Sequence, residues 1–121
     1  MNVSIYIKES NLGPLEGWLN SIFHLIELVD EDDDLYIYHG RYKHEKVSIT
    51  VTINVPEEHG YSCLYFVFSG QTKWQTDRDC AKEAFSILGK KVVCSTNEID
   101  NNPLVWLHIT ENGEEVSDQS W

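Results

Sequence analysis

The sequence predicts an α+β domain in which two helices pack on one face of a mainly antiparallel sheet, in the order βαβββαββ with a short extra C-terminal strand. Three observations carry this expectation. Val47, Ile49, Val51, Ile53 and Val55 alternate strictly with Ser48, Thr50, Thr52 and Asn54, the period of an antiparallel strand with one wet face. Two segments, Leu15 to Val29 and Cys80 to Leu88, carry apolar residues at helical spacings of three and four. Finally, a chain of 121 residues fits one domain spanning 1–121, and scaling laws put roughly two-thirds of its unfolded surface out of water on folding.

Taken in order, Asn2 to Lys8 sets Val3, Ile5 and Ile7 against Ser4, Tyr6 and Lys8, a half-buried strand. Gly13 and Pro14 then fall where an N-cap and first helical residue belong, and Glu16 sits where a carboxylate favours a helix start. The stripe Leu15, Trp18, Leu19, Ile22, Phe23, Ile26 and Val29 predicts a helix ending near Val29 in an acidic run. A tyrosine-rich strand over Asp34 to Tyr42 and a polar turn around Lys43 to Lys46 lead into the alternating strand Val47 to Val55. After a loop at Pro56 to Gly60, the nearly continuous apolar run Cys63 to Ser69 predicts a central strand covered on both faces.

Thr76 followed by Asp79 resembles a capping box, the stripe Cys80, Ala81, Ala84, Phe85 and Leu88 continues the helix, and Gly89 is placed to end it in the left-handed conformation. Strands follow over Lys91 to Ser95 and Leu104 to Thr110. Asn112-Gly113 is a hairpin signal leading into a last strand near Glu114 to Ser117. With both helices on one side, the other side of the sheet is partly open and displays hydroxyls and tyrosines.

Cys63, Cys80 and Cys94 form no CxxC pair and sit in apolar neighbourhoods, so they are expected to be free thiols packing as small hydrophobes. The N-terminal MNVSIYIKES lacks the basic start and apolar stretch of a signal peptide. No run approaches the ~20 apolar residues of a membrane helix. A cytoplasmic protein is expected.

The formal charge is −11, and its placement is uneven. From Glu9 to Gly40 eight acids meet no Lys or Arg, from Arg41 to Lys91 eight bases meet six acids, and from Val92 to Trp121 six acids again meet none. Such a field repels nucleic acid and anionic membrane and speeds encounter with a basic protein. The densest cluster is Glu27 with Asp30, Glu31, Asp32, Asp33 and Asp34. At a helix C-terminus these would oppose the helix dipole at ~0.3–1 kcal/mol each when exposed, which suggests compensation by a bound cation or a basic partner. A solvated acidic loop is the plain alternative.

No motif for chemistry competes with binding. Asp30, Asp32 and Asp34 have the opening spacing of an EF-hand loop, but Leu35 stands where Gly is needed and Arg41 where a bidentate Glu is needed. None of His24, His39, His44, His59 and His108 has the i, i+4 zinc spacing with an adjacent Glu. There is no GxSxG elbow, cysteine-nucleophile signature, P-loop or GxGxxG, and His39 beside Tyr38 and Arg41 is the nearest approach to a catalytic cluster. Catalytic residues, metal ligands and cofactors are therefore predicted as none. Tyr36, Tyr38 and Tyr42 adjoin the acidic run, Trp74 sits in a polar loop, and Trp121 ends a tail holding Glu111, Glu114, Glu115 and Asp118. Aromatics beside charge are the composition of interface anchors with a steering rim; Trp18 and Trp106 are assigned to the core.

In size, acidity, α+β plan and lack of a catalytic motif, the chain resembles the small acidic immunity proteins that bacteria carry against their own secreted toxins, including those of contact-dependent growth inhibition. That resemblance implies a toxin inhibitor that binds and neutralises a basic, nuclease-type toxin by protein–protein interaction. The predicted partner-binding residues are Asp30, Glu31, Asp32, Asp33, Asp34, Tyr36, Tyr38, Glu111, Glu114 and Glu115, with no nucleic acid or membrane as partner. Two alternatives are a DNA mimic that blocks a nucleic-acid-binding protein, and a small-metabolite enzyme without a recognisable motif. The binding expectation is strongest if the two acid-only segments meet on one face of the fold, and weakens toward simple solubility if they lie apart.

Overall fold

The computed structural model describes residues 2–9, 11–54, 60–96 and 105–117. Within them the chain runs β1 (Asn2–Ile7), α1 (Leu12–Ile22), β2 (His24–Asp32), β3 (Leu35–Tyr42), β4 (Glu45–Thr52), β5 (Ser62–Phe68), α2 (Asp77–Leu88), β6 (Val92–Ser95), β7 (Trp106–Thr110) and β8 (Gly113–Ser117). The eight strands form one sheet in the order β2-β3-β4-β5-β1-β6-β7-β8, with every neighbouring pair antiparallel. The α+β class with helices packed on a sheet is therefore present, with one strand more than the sequence predicts.

That extra strand is β2. The apolar stripe predicted to stay helical as far as Val29 is helical only to Ile22, after which Phe23 turns extended (φ −109, ψ 151). Ile22, Phe23, Ile26 and Val29 satisfy a spacing of three and four, yet β-branched and aromatic residues are weak helix formers and good strand formers. Ending the helix at Ile22 also takes the acids from Glu27 to Asp34 off a helix terminus, which removes the dipole penalty. The helix begins with Asn11 as N-cap and Leu12 as first residue, not at Gly13; Pro14 lies in the first turn, where its missing N–H costs nothing.

The other elements follow the sequence closely. Thr76 caps α2 through a hydrogen bond to its Oγ1 from the Asp79 N–H at 3.0 Å. Gly89 ends it at φ 68. Glu111 and Asn112 form the turn between β7 and β8, and Gly113 takes the positive φ of 108 that follows.

One hydrophobic cluster joins both helices to one side of the sheet: Val3, Ile5 and Ile7 of β1, Val47, Ile49 and Val51 of β4, and Leu64, Phe66 and Phe68 of β5 meet Leu15, Trp18 and Leu19 of α1 and Cys80, Ala81 and Ala84 of α2. Trp74, which the sequence suggests as a surface aromatic, is buried here. Its ring lies 5.0 Å from Phe66 and 5.9 Å from Trp18, between centroids. Such pairs add ~0.5–1.5 kcal/mol beyond their area burial.

β5 is central but is not covered on both faces. Leu64, Phe66 and Phe68 are buried while Tyr65 and Val67 stand exposed, so its apolar run lines the core on one side and water on the other. Trp106 is half-buried on the side away from the helices, edge-on to Tyr6 at 6.0 Å, and is not part of the core cluster. Ser48, Thr50 and Thr52 lie half-buried on that same open side. The predicted Pro56 to Gly60 loop falls largely outside the described residues, as do Val55, Leu104, Asp118 and Trp121.

Candidate functional site

The acidic run occupies an edge strand. β2 pairs with β3 through His24↔Arg41, Glu27↔His39, Leu28↔Tyr38, Asp30↔Ile37, Glu31↔Tyr36 and Asp32↔Leu35, with irregularities between His24 and Glu27 and between Leu28 and Asp30. It lies at the end of the strand order, so its outer side has no neighbour in the sheet. Asp33 and Asp34 form the turn to β3, where Asp33 has φ 50 and the Asp34 carbonyl accepts from the Ile53 N–H at 2.9 Å. Asp and Asn tolerate this left-handed conformation better than most residues.

All six acids from Glu27 to Asp34 are exposed. The ion pairs among the described residues are Lys73–Glu83 and Arg78–Glu114, so none of these six is neutralised by a Lys or Arg. The sequence reading missed the apolar residues interleaved with them. Leu25 is 82% exposed, and Leu28 and Val29 are 45% and 41% exposed. The missed signal is the run from Leu25 to Val29 read as a strand: once β2 is an edge strand, its apolar side chains have too little sheet and helix beside them to be covered.

The two tyrosines assigned to the interface are placed differently from each other. Tyr36 is half-buried and packs against the core. Tyr38 is 2% exposed beneath α1, and its hydroxyl donates to Glu16 Oε2 at 2.7 Å. Burial, followed by the hydrogen bond and charge of Glu16, holds its phenol well above the ordinary value. Tyr38 is therefore an internal tie between β3 and α1 and offers no surface to a partner. Glu16, read as a helix-start carboxylate, is its acceptor.

The second acidic segment is at the other end of the sheet. Glu111, Glu114 and Glu115 belong to the β7–β8 turn and β8, the opposite edge strand. Seven strand spacings of ~4.8 Å separate β2 from β8, roughly 33 Å along the sheet. Glu114 is held by Arg78, whose Nε and Nη2 donate to its two carboxylate oxygens at 2.8 and 3.1 Å. That bond lowers the Glu114 carboxyl below its ordinary value. Among the described residues, the acids of β2 and those of β8 and its turn form no single acidic face, so the case for a partner rests on the β2 edge alone.

Among the described residues no group of three His, Cys, Asp or Glu is disposed to hold a metal ion. None of the three cysteines is in a disulfide. Burial pushes the thiols of Cys63 and Cys80 upward, away from the thiolate that a nucleophile requires. No helix among the described residues is long and apolar enough to cross a membrane. Comparison with family models, with curated proteins and with solved structures returns no match, so the functional reading rests on this geometry.

Proposed function

We propose that this chain is an immunity-type inhibitor that captures a basic, nuclease-type toxin on the outer side of β2. The observation that carries the reading is an edge strand that combines six exposed, unneutralised acids with exposed Leu25, Leu28 and Val29. Acids and bulges alone are how proteins protect an open edge from aggregation. Protection does not account for three exposed apolar side chains on the same strand. Apolar anchors within a charged rim suit a partner that loses water at the centre of the contact and is attracted at its margin. Two copies of this edge repel one another, so the acids favour a basic partner over self-pairing.

The reading narrows the interface to β2 and its turn, Asp30 to Asp34 with Leu25, Leu28 and Val29, and leaves out Tyr38 and the β8 acids. The test uses a purified basic toxin domain encoded beside this chain's gene. Its association rate constant, measured by stopped flow, should fall at least tenfold between about 50 and 300 mM salt as screening shortens the reach of the charges. A complex whose association rate ignores salt, or no complex at all, overturns the proposal.

A further inference from the structure

A groove edged by basic side chains lies where α1 gives way to β2, against the β3–β4 turn. It has a volume of about 620 Å³ and is open on one side. Leu25 and Tyr42 provide apolar walls, and His24, Arg41, Lys43 and His44 surround them. Arg41 Nη1 donates to the His44 carbonyl at 3.3 Å, and Lys43 Nζ stands 5.7 Å from the Tyr42 ring centroid. Glu45, the acid next in sequence, lays its side chain against Gly70 and does not line the groove. A protein of charge −11 thus keeps one concave, largely apolar surface edged by cationic groups.

Backbone conformation singles out the same place. Among the described residues, five other than glycine have positive φ, and three of them, Leu25 (φ 55), Lys43 (φ 50) and His44 (φ 73), line this groove. Lys43 and His44 are the two central residues of a tight hairpin closed by Tyr42↔Glu45. Such a turn, with positive φ at both centres, strongly favours Asn-Gly. Leucine in the left-handed region is rarer still, and here it projects an 82% exposed side chain. Strain of this kind clusters at ligand clamps and other functional sites.

We infer that the groove binds a small organic anion carried on an apolar, ring-sized body, an aromatic carboxylate or phosphate. Its charged group meets Arg41 and Lys43, and its ring lies between Leu25 and Tyr42. Leu25 is shared with the proposed inhibitor interface, but Arg41, Tyr42, Lys43 and His44 lie outside it, and a small anion can be tested without the toxin, so the two readings fail independently.

The probe is 1-anilinonaphthalene-8-sulfonate, with neutral N-phenyl-1-naphthylamine as its uncharged counterpart, followed by fluorescence and by amide chemical shifts. One saturable site for the anionic probe is expected, with shifts centred on Leu25 and Arg41 to His44. R41Q should weaken binding at least fivefold. The decisive variant is K43N/H44G, which gives the turn its preferred residues: binding should drop at least tenfold while Tm stays level or rises. Unchanged affinity in either variant, equal affinity for the neutral probe, shifts centred elsewhere, or a fall in Tm of K43N/H44G overturns the inference.

Discussion

At the scale of single residues, burial decides what a side chain can do. Tyr38 and Tyr36 are two positions apart and share a face of β3, yet one is sealed beneath α1 with its hydroxyl on Glu16 and the other is only half covered. Y38F should cost ~1 kcal/mol, the usual net worth of one hydrogen bond, with no effect on partner binding. His108 is 8% exposed, with Nε2 buried and unbonded. Burial first, then the charge of Lys91, lowers its imidazole below the ordinary 6.5. The unfolded chain therefore takes up this proton before the folded one does. The stability involved is fully present above 6.5 and is lost as pH falls through the lowered folded value. Thermal unfolding from pH 8 to about pH 5 should show a steeper acid decline in the parent than in H108Q; identical acid limbs would contradict this.

At the scale of elements, β2 and its flanking turns are weakly secured. Eight of its nine residues are exposed, Ile26 being the half-buried exception. Holding Leu25, Lys43 and His44 in the left-handed region costs of order 1–3 kcal/mol each. Hydrogen exchange should find the amides of β2 opening well before those of β1 and β5, which lie inside the sheet and carry its buried aliphatic rows. Protection of β2 equal to that of β5 would mean that something already covers the edge. Regular alternation made β1 and β4 legible in the sequence, and local capping chemistry marked both ends of α2. β2 was not legible, because Ile22, Phe23, Ile26 and Val29 fit a helical stripe as well as a strand; the choice belongs to pairing with β3, which is a tertiary fact. The burial of Tyr38 and Trp74 was hidden for the same reason, since both depend on where α1 lies over the sheet. The acidic cluster was visible as composition, but its apolar companions became a surface only once β2 was an edge.

At the scale of the whole molecule, strand order separates what the sequence left free to meet. The first acid-only segment reaches one edge and the last reaches the other, with the mixed-charge stretch Arg41 to Lys91 supplying β4, β5 and α2 between them. If β2 alone is the interface, D30N/D32N/D33N should slow association with the basic partner several-fold, while E111Q/E115Q at the far edge should change it by less than twofold. Equal effects from the two variants would return the charge to a general, non-local role. Eight antiparallel strands with no closure between the first and last leave two free ends, both negative, flanking a near-neutral centre. Added to the net charge of −11, this edge-weighted placement draws an approaching cationic body toward the rims of the sheet without naming one of them. The exposed leucines and valine of β2 then make one end adhesive, so charge brings a partner to the rim and apolar contact decides on which rim it stays.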